Sequence, residues 1–362
     1  MKKCKSSNRA FYTAVVTMAA VLSLGCFFLK TDPDPDPDPI ENECNGVDAI
    51  PEIVDEDFLA NDDCDQVEAT ITVRDGARLT VEPGTTLIFG QGAGVRVEDD
   101  ASLYARGTDE EPIEFTGSQP EAGHWQGIYF DGTTSRDNFL EHITIEHAGG
   151  QTWDDVEPAG PANVSIRSAR VEMVDFTLRQ SAGYGLYMGG NAVPNDDEEL
   201  DDDSDKGDNG DNGDESNDDA QVATGGSADI RIDGDNEITA NQEEPVRTSP
   251  DLIGFLTAET TYQNNDSDFI LVTEGTVTEG AVWEAFDVPL LFDGVVTIAA
   301  NVRISPGVEV VFRDAAGFQI NSDGSLDVDG DDDDVVLRGD DAIDDEIDEI
   351  DENEDDSTNS AS

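Results

Sequence analysis

The residues best suited to chemistry in this chain are acids. Asp203, Asp205, Asp208 and Asp211 follow one another at intervals of two or three, with Gly207, Gly210 and Gly213 among them. Asp327, Asp329 and Asp331 make a shorter run around Gly330. Closely spaced carboxylates with glycine at the bend suit a hard divalent cation, because calcium takes oxygen ligands. Neither run has the Glu that closes an EF-hand loop at its twelfth position. Calcium is therefore the candidate ligand, no cofactor is required by any motif, and a solvated acidic loop is the alternative.

Other reactive patterns are thin. Paired carboxylates can serve as acid and base, but Asp-Asp pairs recur throughout and nothing singles one out. His142 and His147 lie five apart, which puts them on opposite faces of a strand. No His-Glu-x-x-His and no Gly-x-Ser-x-Gly occurs. No catalytic residue is assigned. Trp125 and Tyr129 share a parity opposite to Ile128 and Phe130, which predicts an exposed aromatic strip able to stack on a sugar.

The chain holds 84 acidic and 19 basic residues, a net charge of −65. Phosphate contacts need clustered Lys and Arg, so nucleic acid and anionic lipid are excluded as electrostatic partners. The acids lie well beyond the runs, so the folded surface itself is acidic. Two compatible readings follow: adaptation to high salt, where repulsion is screened within a few ångströms, and binding of divalent cations.

Lys2, Lys3, Lys5 and Arg9 precede an apolar segment over 11–24 (FYTAVVTMAAVLSL), then Gly25-Cys26. This resembles a bacterial lipoprotein signal, in which residues 1–25 are removed and Cys26 is lipidated to become the new N-terminus. Ser23 stands where that pattern has Leu. The apolar run continues through Phe27-Phe28-Leu29, long enough to span a bilayer. An uncleaved signal anchor is thus the alternative. Either way the rest is expected to be exported and tethered in a bacterial cell envelope, at the outer membrane or cell surface. The membrane is one expected partner, and a polysaccharide or another surface protein a second.

Asp-Pro repeats over 32–39 make a stalk within 26–43, because alternate prolines favour polyproline II. Cys44 and Cys64 stand alone in 44–68 and read as a disulfide on compartment grounds, two unpaired thiols being the alternative.

From 69 the chain alternates with period two, the strand signal. Leu79, Val81, Leu87, Phe89, Val95, Val97, Leu103, Ala105, Ile113 and Phe115 face one way. Arg78, Thr80, Arg96, Tyr104, Arg106 and Glu114 face the other. Pro83-Gly84 suits a type II turn. The stretch 77–107 returns without a gap as 300–330, with Pro306-Gly307, Phe312, Gly317 and Ser325-Leu326 in step. Turns of differing length and a pattern recurring every coil point to a parallel solenoid.

LTVEPGTTLIF, VRVEDDASLYARGTDEEPIEFTG, HWQGIYFDG and LEHITIEHAGG together resemble the right-handed parallel β-helix domains of bacterial surface lipoproteins, in the pectate-lyase-like superfamily. The expected fold is all-β: a right-handed parallel β-helix solenoid with a disordered acidic insertion and tail. One unit runs over 69–280, interrupted by acidic low-complexity sequence at 193–227. A second, incomplete repeat runs over 281–339, and a disordered acidic tail over 340–362.

The resemblance implies either a lyase-like Arg beside calcium ligands or hydrolase-like Asn-Thr-Asp, Asp-Asp and Gly-His-Gly motifs. Arg231 between Asp229 and Asp233 imitates the first without its companion basic motif, and Gly-His-Gly is absent. The expectation is a non-enzymatic structural, adhesive or ligand-binding module. A carbohydrate-active enzyme with a divergent site and a calcium-dependent binding module are the alternatives.

Overall fold

The computed structural model describes residues 42–43, 50–61, 65–153, 160–190, 230–328 and 334–339. All lie in one unit, Ile40–Ser362. Among them every paired strand runs parallel to its neighbours, and strands adjacent in a sheet come from successive coils of the chain. This is a parallel β-helix.

One eleven-stranded sheet runs the length of the molecule, from Ile53–Val54 to Val336–Gly339. Its inward side stacks one apolar residue per coil. Ile71 pairs Val95, then Ile128, Val164, Leu186, Val246, Ile270, Leu290 and Val310. Each is at most 1 % exposed. Strands in such a ladder lie about 4.8 Å apart, so the column is a continuous hydrophobic rod. Burial of this kind stabilises each residue by roughly 1.5–3 kcal/mol.

A second eleven-stranded sheet covers the other sides of the early coils. It is branched because the long strands Phe139–Glu146 and Val171–Arg179 bend at a corner and pair differently on either side. A 3-10 helix, Pro250–Phe255, packs against Ile230–Asp233 of this sheet and against Gly275–Val277 and Ala281–Trp283. Beyond it two three-stranded sheets continue, Gly275–Val277 to Gly317–Ile320 and Ala281–Trp283 to Ser325–Val328.

The corners are built from left-handed residues stacked coil on coil. Asp99, Gly132, Ser168 and Gly190 form one column, with φ of 55, 69, 46 and 86°. His142, Asp175 and Gly234 form a second, and His147, Gln180, Ala240 and Asn264 a third. A strand that must turn without a hydrogen-bonded hairpin uses one left-handed residue per corner. Asparagines satisfy the backbone at these bends. The amide of Asn163 donates to Asn241 at 3.3 Å, and that of Asn241 to Asn265 at 2.9 Å.

The ten odd-numbered residues expected to face inward between Leu79 and Phe115 are all fully buried. Two boundaries differ from expectation. The solenoid is already under way at Ile53–Val54 and Phe58–Ala60, inside the region assigned to the cysteine loop. There is also no break at 281, because the through-sheet runs straight on from Ile270–Val272 to Leu290–Phe292. The insertion at 193–227, the tail over 340–362, and everything before Asn42 lie outside the described residues.

Candidate functional site

Three side-chain clusters decorate the outer faces, and the β-ladder positions each. The first lies on the branched sheet. Thr80, Tyr104, Phe139, Glu172 and Arg231 are in register on successive coils, so their side chains form one outward row. The half-buried rings of Tyr104 and Phe139 stack with centroids 5.9 Å apart and planes at 30°. Arg78 lies over Tyr104 at 5.6 Å and Arg106 over Phe139 at 5.4 Å. Arg78 is bonded to Asp137 and Arg106 to Glu141.

The second cluster lies on the outer side of the through-sheet. Asp131 accepts from Arg96 at 2.6 Å and from Nε of Arg167 at 3.0 Å. Arg96 also pairs with Glu98 at 3.0 Å. Both guanidiniums lie over the Tyr129 ring, at 5.7 and 5.9 Å. Burial by itself would push the Asp131 carboxyl up. Hydrogen bonds and charge from Arg167, with the hydrogen bond from Arg96, overcome that and hold it below its ordinary range. Burial pushes the Tyr129 phenol up.

The third cluster sits where the branched sheet turns its corner. Glu146 accepts from Arg179 at 2.7 Å and from Thr116 at 2.9 Å. Nδ1 of His147 lies 3.0 Å from the Thr116 hydroxyl. Burial opposes ionisation of Glu146, but the hydrogen bonds from Arg179 and Thr116 and the charges of His147 and Arg179 hold it below its ordinary range. Glu114 beside it moves the other way, raised by burial and then by the Glu146 charge. The two neighbouring carboxyls are thus shifted in opposite directions.

The aromatic strip expected at Trp125 and Tyr129 is corrected, since both are fully buried. Trp125 stacks on Phe89 with centroids 4.1 Å apart and donates its indole N–H to the Glu146 carbonyl at 2.8 Å. The reason is Gly127, whose φ of 107° breaks the alternation, so Trp125 joins the same core as Ile128 and Phe130. Tyr129 does point outward, but Trp153 covers it at 5.4 Å. It belongs to a second apolar cluster with Tyr187, Leu271, Leu291 and Val311 on the outer side of the through-sheet. Tyr104 and Phe139 are outward aromatics that keep partial exposure. The alternation placed Tyr104 outward; its stacking with Phe139 depends on a coil register that spacing alone does not give.

Of the calcium candidates, Asp327 is exposed on Ser325–Val328, opposite Arg303. Asp203, Asp205, Asp208, Asp211, Asp329 and Asp331 lie outside the described residues, as do Cys26, Cys44 and Cys64. Among the described residues no three His, Cys, Asp or Glu side chains come together in a way that could hold a metal ion. Nor is any helix among them long and apolar enough to cross a membrane.

No curated protein and no solved structure matches the chain. Residues 52–157 match the family model described as a pectate-lyase like beta helix domain. That match begins at the first strands of the through-sheet, Ile53–Val54, and reaches past the bent strand Phe139–Glu146. Sequence match and parallel ladder agree, and the chain carries a pectate-lyase-like β-helix domain.

Proposed function

We propose that this chain is a membrane-tethered, cell-surface β-helix that works as a non-enzymatic structural, adhesive or ligand-binding module, with Cys26 as the lipidated residue. The observation that carries the reading is the closure of the outer-face charges on one another. Arg78, Arg96, Arg106, Arg167 and Arg179 are each bonded to a carboxylate of another coil. Asp131 and Glu146 are held ionised by those partners. Carboxylates clamped in this way fix a surface and are poor proton donors at neutral pH.

The test is incubation with a panel of acidic and neutral polysaccharides, following new reducing ends and unsaturated products. The expected result is none of either. Product release abolished by Glu114→Gln would replace this reading with a second one. That second reading, a carbohydrate-active enzyme, draws on the opposed shifts of Glu114 and Glu146, which suit an acid and a base.

A further inference from the structure

Arg247 is an arginine without a carboxylate. Its Nη1 donates to the Tyr184 hydroxyl at 3.2 Å, and its guanidinium lies over the Tyr184 ring at 5.6 Å. Its Nε is buried with no acceptor. Burial raises the Tyr184 phenol, the charge and hydrogen bond of Arg247 oppose that, and Glu243 and Glu244 add to it. Glu244 is bonded to Arg313 at 3.6 Å, and among the described residues no carboxylate is bonded to Arg247. The chain has 84 acidic and 19 basic residues. An arginine left without an acid in such an excess is open to an anionic group from outside.

Arg247 lines a cleft of about 500 Å³ at the downstream end of the through-sheet. Four coils adjacent in the ladder build it. Tyr187, Arg247, Leu271 and Leu291 are in register. The residues that follow them supply the walls: Gly189 and Gly190, then Ser249, then Thr273 and Glu274, then Asp293. Backbone bonds carry the ladder into these walls. Ser249 N–H donates to the Met188 carbonyl at 3.1 Å, Thr273 N–H to the Thr248 carbonyl at 3.0 Å, and Asp293 N–H to the Val272 carbonyl at 3.1 Å. The Ser249 hydroxyl is buried and bonded to nothing among the described residues.

Glu274 and Asp293 bring two exposed carboxylates to the cleft, on neighbouring coils. Neither is bonded to a cation among the described residues. The two coils pack closely here, since a β-carbon at Gly294 would come 2.7 Å from that of Glu274. The charged residues of the lining are thus one arginine and two acids, on strands about 4.8 Å apart. Fixed charges of both signs select a ligand that carries both signs. A simple anion would meet Glu274 and Asp293, a simple cation would meet Arg247, and like charges brought together cost affinity. The volume lies within the roughly 300–1,000 Å³ of small-molecule pockets. A guanidinium takes a carboxylate through two parallel hydrogen bonds, and an ammonium group donates to carboxylates.

We propose that this cleft binds a small zwitterion, its anionic group on Arg247 and its ammonium group at Glu274 and Asp293. Amino acids and their homologues with a longer chain between the two charges are the class it fits. The assignment rests on the ligand-binding reading above and gives that ligand a chemical class.

The experiment titrates the full chain by calorimetry with glycine, γ-aminobutyrate and ε-aminocaproate, zwitterions of increasing charge separation, and with acetate and methylammonium as their halves. At least one zwitterion is expected to bind saturably and about tenfold or more tighter than either half. The three zwitterion arms show which separation fits. Arg247→Gln, and Glu274→Gln combined with Asp293→Asn, are each expected to weaken that binding by about tenfold or more. Glu274 and Asp293 are exposed, so the melting temperature of the double variant should stay within a few degrees of native, and it decides the matter if Arg247→Gln fails to fold. Asp314→Asn, an exposed acid elsewhere, should bind as the native chain does. Absence of saturable binding by every zwitterion, binding no tighter than that of acetate or methylammonium, or equal binding by the native chain and a folded cleft variant overturns the proposal. The polysaccharide assay reports separately, since product release would overturn the non-enzymatic reading while leaving the zwitterion titration to decide the cleft.

Discussion

The stretches 77–107 and 300–330 have the same sequence pattern and the same strands, yet they occupy different places in the helix. Arg78–Val81 corresponds to Asn301–Ile304, Thr86–Phe89 to Glu309–Phe312, Gly94–Glu98 to Gly317–Ile320, and Ser102–Arg106 to Ser325–Val328. Gly84 and Gly307 even share a φ of 81°, the left-handed second residue of the same type II turn. Their sheets do not correspond. Gly94–Glu98 lies in the through-sheet, but its counterpart Gly317–Ile320 lies in a three-stranded sheet. Glu309–Phe312 lies in the through-sheet, and its counterpart Thr86–Phe89 does not.

The repeat is therefore out of phase with the coil. It was expected to restart the same coils. What it restarts is strand, turn and alternation, which fit any face of a parallel β-helix because each face asks for the same inward residue types. Coil length decides which face a strand lands on. One coil runs from Ile71 to Val95, and a shorter one from Ile270 to Leu290.

The copies also differ in cover. Leu79, Val81, Val95, Val97, Leu103 and Ala105 are at most 1 % exposed. In the second copy Ile320 is 52 % exposed and Val328 46 %. The first copy has coils on both sides. Among the described residues, Gly317–Ile320 and Ser325–Val328 are paired on one side alone. Corresponding strands thus hold different shares of the stability.

The largest consequence concerns matched leucines. Leu103→Ala should cost about 2–5 kcal/mol, as for a fully buried core leucine, while Leu326→Ala at the half-buried counterpart should cost under about 1 kcal/mol. Urea unfolding of the two variants measures both. Equal losses would mean that the second copy is as well covered as the first.

A smaller effect separates the outer faces. Arg96 is clamped by Asp131 of the next coil, whereas its counterpart in the second copy is Gln319. Asp131→Asn leaves Arg96 and Arg167 without their shared carboxylate. These side chains are 25 % and 36 % exposed, so the loss at pH 7 is put at about 1–2 kcal/mol. The folded carboxyl is held below its unfolded value. Its contribution is complete above the ordinary carboxylate range and is lost as pH falls through the folded value. The stability gap between native chain and variant should therefore stay open through the ordinary carboxylate range and close only as pH falls below the depressed folded value. A gap that persists there would place the effect in packing.

Much of the fold was legible because inward alternation is local. The parity from Leu79 to Phe115, the Pro-Gly turn and the solenoid all follow from neighbouring residues. The structure departs from the sequence reading where one residue or one register changes the outcome. Gly127 shifts the parity by a single backbone angle and buries Trp125. Arg136, Arg170 and Arg231 become neighbours only through ladder register, the last across residues 191–229, which lie outside the described residues. No spacing rule reports that. Ile53 and Phe58 lie in strands too short to show a period, so the start of the helix was placed late.

Native-state hydrogen exchange compares the two copies most directly. The amides of Val95 and Val97 lie in a strand paired on both sides, and those of Phe318 and Ile320 in one paired on one side among the described residues. The first pair should exchange only through global unfolding, slowed by orders of magnitude relative to the second, which should open locally. Equal protection at the four amides would contradict a solenoid whose described residues carry the same motif once between two coils and once paired on one side.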